Sequence, residues 1–261
     1  MYSPQVRDKF YNDTITNLTS SDLVEGIVRI GSGVIGYNDD YSDIDLMVST
    51  TDTTNVEHIK DYVHQCLAQL GAVYIKDKRH RENVYIIIAI LENGLEFNVS
   101  TLPTSYLSVR SPLWKVIVDK TGRVSEEMNM EQERFASQFV KYDVNEDIPF
   151  EFVFSMRRFN IELKRNNLIY ALKMLEMMRD YVLEIEAHNE GKKVHQFKAY
   201  ETLRPSFIEA FLDTHPNEVT VERLLISADK LKDLFLDTIY KSELFIIENG
   251  LINLLNSVGD D

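Results

Sequence analysis

The chain reads as α+β, with a mixed-sheet domain over residues 1–124 followed by an all-helical bundle domain over residues 125–261. Three observations predict this. Short β-rich runs bounded by turn signals crowd the first half, at Val24–Ile30, Asp43–Val48, Ala72–Lys76, Val84–Ile90, Leu95–Val99 and Trp114–Val118. Helical patterns interrupt them only at about 5–19 and 53–70. From Phe150 to His188, by contrast, there is neither proline nor glycine, and apolar residues recur at the helical period.

Taken in order, the first helix offers Phe10, Ile15 and Leu18 as inward positions, and Ser21-Asp22 opens a turn before the first strand. Thr53-Thr54-Asn55 starts a second helix, on which Ile59, Val63, Cys66 and Leu70 share a face; Gly71 ends it. His58 and His64 are six apart on that helix, so they do not face each other as a ligand pair would, and both read as surface residues. A charged segment, Asp77–Asn83, separates the next strand from Val84–Ile90, whose unbroken apolar run predicts burial on both faces. Glu92-Asn93-Gly94 then makes a hairpin with Leu95–Val99. Alternation there puts Glu96 and Asn98 on one face and Leu95, Phe97 and Val99 on the other.

Pro103 and Pro112 bracket irregular chain, and Asp119–Gly122 closes the last strand with a turn. The domain boundary falls between about 122 and 147. Beyond it, long helices are expected to break near Asn166-Asn167, and the methionines at 156, 174, 177 and 178 read as core filler. Gly191-Lys192-Lys193 reads as a surface turn, Tyr200–Leu212 as a helix interrupted by Pro205, and about 219–238 and 240–256 as the last helices. Leu224, Leu225, Leu231, Leu234, Phe235, Leu244, Ile247, Leu251, Leu254 and Leu255 are their core candidates.

Composition bounds the function. With 44% hydrophobic and 27% charged residues over 261 positions, the chain is globular and has length for one large or two ordinary domains. Its 42 acidic and 28 basic residues give a net charge of -14, which argues against a long nucleic-acid backbone and for a cationic small substrate. The lone Cys66 cannot form an internal disulfide, the N-terminus lacks a signal peptide's apolar region, and no stretch approaches the roughly 20 apolar residues of a membrane span. A cytoplasmic location follows as the expectation; the oligomeric state is open.

The most informative stretch is Ile30–Val48, IGSGVIGYNDDYSDIDLMV. A Gly-Ser turn follows a strand, an acidic connection comes next, and Asp43 and Asp45 then alternate with Ile44 and Leu46. In a strand, alternate residues share a face, so the two carboxylates stand side by side. Like charges so close raise each other's pKa or recruit a counterion, and oxygen-only ligation points to magnesium or manganese. Gly31 and Ser32 would present backbone donors and a hydroxyl to phosphate.

Gly31-Ser32, Gly36 and Ser42-Asp43-Ile44-Asp45-Leu46 together resemble the signature of the nucleotidyltransferase superfamily, which includes DNA polymerase beta and the small antibiotic-modifying enzymes. Gly33 departs from it, standing where the small enzymes often carry a larger residue. The resemblance implies metal-dependent transfer of a nucleoside monophosphate from an NTP, ATP being favoured, to a hydroxyl of a small molecule. Asp43, Asp45 and Glu96 would be the catalytic and metal-binding residues, with Mg2+ or Mn2+, and Gly31, Ser32 and Ser42 would bind the nucleotide. Within the superfamily the layout is similar to aminoglycoside and lincosamide nucleotidyltransferases, hence an expected role in antibiotic resistance. Their helical domain can supply a base, for which Glu162, Glu176 and Asp180 are in the right region. Arg110, Lys115, Lys120 and Arg123 are the cations nearest in sequence that could meet phosphate. Three other readings stay open: the same chemistry on a cellular metabolite or protein, a nucleotide-binding regulator without efficient transfer, and a helical interaction module.

Overall fold

The computed structural model describes residues 2–36, 41–138, 142, 144, 147–192 and 200–257. The acidic connection at 37–40, most of 139–146 and Lys193 of the expected surface turn lie outside them. By contacts the chain divides into units 1–141 and 142–261. The first is a mixed-sheet α/β domain and the second is helical. The division falls inside the 122–147 interval but after 124, because the helix that begins at Arg123 packs against the last strand of the sheet.

Unit 1 contains helix α1 (Pro4–Thr19), strand β1 (Gly26–Ile30), a 3-10 turn at Gly31–Ile35, β2 (Ile44–Thr50), α2 (Val56–Gln69), β3 (Ala72–Arg81), β4 (Val84–Leu91), β5 (Glu96–Pro103), β6 (Trp114–Asp119) and α3 (Arg123–Ser137). The six strands run β3-β4-β5-β2-β1-β6, with β2 and β5 parallel and every other neighbour antiparallel. On one face Ile27, Ile44, Leu46, Val48, Ile87, Ala89, Phe97 and Val99 bury against Leu18 of α1 and Ile59, Val63, Cys66 and Leu67 of α2. Burying the full side chain of such a residue contributes about 1.5–3 kcal/mol, so this face fixes the register of every strand that crosses it. The opposite face carries the alternate residues, including both aspartates.

Two expectations for the sheet change. β3 continues through the charged segment to Arg81, because an edge strand needs only backbone pairing to β4 and can leave charged side chains in water. Asp77 there faces α2, where His64 Nδ1 lies 2.9 Å from its carboxylate. The apolar run of β4 is buried on one face only, at Ile87, Ala89 and Leu91; Ile86 and Ile88 are half-buried on the other. Length and β-branched composition made the strand evident, whereas the covering of its second face depends on distant chain.

In unit 2, α4 (Ile148–Lys164) and α5 (Leu168–Asn189) break where expected, with Asn166 at φ 56 and Asn167 capping α5 through Tyr170. Phe152 stacks on Phe235 of α7 (Val221–Ile239), with ring centroids 3.7 Å apart. Met156, Met174 and Met178 lie in the core. Pro205 opens α6 (Pro205–Asp213) rather than interrupting it, since a missing N–H costs nothing in a first helical turn. The final helix, α8, spans only Asn249–Ser257. Residues 242–248 are not helical; the Ser242 hydroxyl accepts from the backbone N–H groups of Leu244 and Phe245, which holds a turn there. Leu225 and Leu254 are exposed, unlike their core neighbours. No helix among the described residues is long and apolar enough to cross a membrane.

Candidate functional site

The site is built on the middle of the sheet. Asp45 lies on β2 directly opposite Asn98 on the parallel strand β5, and Ile44 lies opposite Phe97. Because Ile44, Leu46, Phe97 and Val99 are all fully buried on the helical face, Asp45, Glu96 and Asn98 have to emerge on the other. Asp43 precedes β2 by one residue. Asn98 Nδ2 donates to Asp43 Oδ2 at 2.9 Å.

Burial pushes the Asp45 carboxyl up to about 7, from an ordinary 3.8; the charge of Asp43 adds to the rise, a hydrogen bond from Asn98 opposes it, and the charge of Glu96 reinforces it. Glu96 thus shares the field of the aspartates. Among the described residues, however, no three His, Cys, Asp or Glu side chains group closely enough to hold a metal ion. What the backbone brings together most tightly is Asp43, Asp45 and Asn98.

The Gly-Ser turn abuts this pair. Gly31 adopts φ +73, and a Cβ there would sit 2.7 Å from Asp45 Oδ2. Only glycine both takes this left-handed conformation easily and lets the carboxylate approach. Its N–H donates to the Leu113 carbonyl at 3.0 Å, so Gly31 contributes close approach rather than the free backbone donor expected of it. Ser32 is half-buried, and among the described residues its hydroxyl has no partner. Ser42 is 4% exposed, and its carbonyl accepts from Tyr2 Oη at 2.9 Å and from Arg7 Nη1 at 3.4 Å. Helix α1 therefore ties down the residue immediately before Asp43.

Sequence reasoning placed Asn98 on the carboxylate face but gave it no role, because the parallel register that sets it beside Asp45 is a long-range pairing. It also passed over Arg29. This side chain lies over the Tyr11 ring at 4.3 Å and fills the space beside Gly33, where a Cβ would meet Arg29 Nε at 2.4 Å. The missing side chain at 33 thus has a local cause: a strand arginine occupies its volume. No pattern in the sequence marks that contact.

The other cations separate. Lys115 lies on β6 opposite Arg29. Lys120 donates to the Ser21 carbonyl and Arg123 lies 3.5 Å from the buried Glu25, both at the far ends of β1 and β6. Arg110 lines a cleft of about 530 Å³ with Arg81, Tyr106, Glu127 and Arg134, at the opposite end of β5 from Glu96.

In unit 2 the three base candidates have different surroundings. Glu162 accepts from Arg165 and Asn167, both at 2.8 Å, and so secures the α4–α5 break. Glu176 lies 3.5 Å from the buried Arg179 and 4.0 Å from His215. Asp180 has its carboxyl held above the usual range, first by desolvation and then by Glu176.

No protein-family model matches the chain, and no curated protein matches it in sequence. Among solved structures, it is similar to an aminoglycoside 6-adenyltransferase from Bacillus subtilis, at 16% identity over 99% of each chain and a TM-score of 0.43. It is also similar to a protein from H. pylori described as a candidate nucleotidyltransferase, at 11% identity over 93% of this chain and 100% of that one, with a TM-score of 0.29.

Proposed function

We propose that the protein transfers a nucleoside monophosphate from an NTP, with ATP the favoured donor, to a hydroxyl of a small molecule. The observation that carries this reading is Asp45 on a central strand, beside Asp43 just before it and against Gly31, with its charge poorly compensated. Oxygen donors of this type suit Mg2+ or Mn2+. Such a cation, when bound, neutralises charge on the phosphates and lowers the pKa of an attacking hydroxyl.

The residues of the chain have the following roles in this reading. Asp43 and Asp45 hold the cation, and Glu96 adds negative potential on the acceptor side. Gly31 lets the phosphate chain approach Asp45, and the Ser32 hydroxyl donates to a phosphate oxygen. Ser42, anchored by Tyr2 and Arg7, fixes the approach to Asp43. In the reaction, the acceptor oxygen forms a bond to the α-phosphorus as the bond to pyrophosphate breaks, and the hydroxyl proton passes to solvent. The net charge of -14 favours a cationic, hydroxyl-bearing acceptor, of which aminoglycosides fit better than lincosamides by charge. The domains assigned to these tasks are the sheet unit, through about residue 141, for nucleotidyl transfer and the helical unit beyond it.

A second reading, a nucleotide-binding protein without efficient transfer, draws on the lack of a three-carboxylate group among the described residues. Pyrophosphate release separates the two. With ATP or GTP, Mg2+ and a panel of aminoglycosides, lincosamides and hydroxyl-bearing metabolites, the wild type should release pyrophosphate with at least one acceptor, and Asp43→Asn should not. Nucleotide binding without release across the panel favours the second reading, and full turnover by Asp43→Asn refutes the proposed cation site.

A further inference from the structure

The parallel register places Asn98, not Glu96, directly beside Asp45, and its Nδ2 reaches Asp43 at 2.9 Å. Its neighbours Phe97 and Val99 are fully buried, so the backbone that carries Asn98 is fixed on both sides. Across the antiparallel pairing the residue opposite is Ile88, which offers no hydrogen bond. Among the described residues the Asn98 amide therefore has only the aspartates as polar partners.

We propose that Asn98 is the third member of the cation site: a ligand that bridges Asp43 and Asp45 through its N–H group in the free protein, and turns its carbonyl oxygen to a divalent cation held by the pair. This rests on the reading of Asp43 and Asp45 as cation ligands. The chemistry requires the exchange. An ionised carboxylate only accepts hydrogen bonds, so the atom facing the pair in the free protein has to be Nδ2, whereas a hard cation takes oxygen. The terminal amide torsion is broad and roughly two-fold, so rotation about it swaps the two atoms without moving the strand. A neutral third ligand also matches charge: two carboxylates balance one divalent cation, and a third carboxylate at this position would add repulsion whenever the cation is absent.

The test uses the full chain and MnCl2 alone, with bound Mn2+ followed by loss of the free-ion electron paramagnetic resonance signal. Unfolding temperature is recorded at pH 8 with chelator and with Mn2+. Wild type should bind Mn2+, Asn98→Ala about tenfold more weakly, and Asn98→Asp at least as tightly as wild type. Asn98→Asp should also unfold at a lower temperature than wild type in chelator and recover most of the difference in Mn2+, a pattern that general damage to the fold does not produce. Equal Mn2+ affinity in Asn98→Ala and wild type overturns the proposal, as does weaker binding in Asn98→Asp than in Asn98→Ala. If wild type and Asp45→Asn bind Mn2+ alike, or wild type binds none at millimolar concentration, the cation reading falls and this proposal with it. Mn2+ binding that follows the predicted Asn98 series, without pyrophosphate release, supports the proposal and sinks only the transfer reaction.

Discussion

Replacing Asp45 with Asn should stabilise the protein in chelator while removing the proposed nucleotidyl transfer, and the stabilisation should depend on pH. In the folded state burial and the Asp43 charge lift the Asp45 carboxyl to about 7, against 3.8 for the ordinary group. A raised folded pKa means that the native state keeps a proton the unfolded chain has released. Its contribution to stability is complete below about 3.8 and disappears as the pH climbs through about 7. The largest possible difference is on the order of 4 kcal/mol, from 1.36 kcal/mol per decade of proton affinity. Asparagine has the same shape and never ionises, so Asp45→Asn removes this dependence. In chelator, the variant and wild type should unfold at similar temperatures at pH 4, and the variant should gain progressively toward pH 8, by roughly 8–16 °C for a domain of this size. Groups outside the site are common to both proteins and cancel in the difference. A stability difference that is flat from pH 4 to 8, or a variant less stable than wild type at pH 8, would refute the inference that the pair lacks a countercharge.

Three other substitutions separate contact from architecture. Gly31→Ala introduces a Cβ 2.7 Å from Asp45 Oδ2 at a residue with φ +73, and should cost about 1–3 kcal/mol in denaturant unfolding and weaken Mn2+ binding as well. Ser32→Ala removes a hydroxyl that has no partner among the described residues; it should leave the unfolding temperature unchanged and lower kcat/KM for the nucleotide about tenfold. Glu25→Ala should do the reverse. The buried Glu25 accepts from the buried Thr104 and from the exposed Thr121 at 2.7 Å, so its loss leaves the Thr104 hydroxyl with Ser49, 3.0 Å away, and should cost about 1–3 kcal/mol in stability, with nucleotide KM unaltered because the cluster lies at the far ends of the strands.

Helix α5 and strand β4 show why much of the fold was legible. The first keeps a helical period over many turns, the second is a β-branched run too short for a helix, and the Asn166-Asn167 break announces itself by residues that tolerate positive φ and cap a helix. The errors fell where context overrides pattern. β3 extends through five charged or polar residues, 77–81, to its end at Arg81, because its partner strand supplies the hydrogen bonds. Pro205 begins a helix, since the residues before it are in a 3-10 turn and not already helical. The residues after Tyr240 keep a helical apolar pattern, yet they reach the core at Phe245 from an irregular segment.

At the site, alternation along any strand is enough to put Asp43 and Asp45 on one face, and a Gly-Ser turn leads toward them. Local periodicity needs no knowledge of neighbours. Strand adjacency settles what periodicity leaves open: Gly31 touches Asp45, Arg29 fills the space left by Gly33, and Asn98 lies directly opposite Asp45. Each of these depends on which strands adjoin and in what register, and that is set by burying Ile44, Leu46, Phe97 and Val99 together on the opposite face of the sheet.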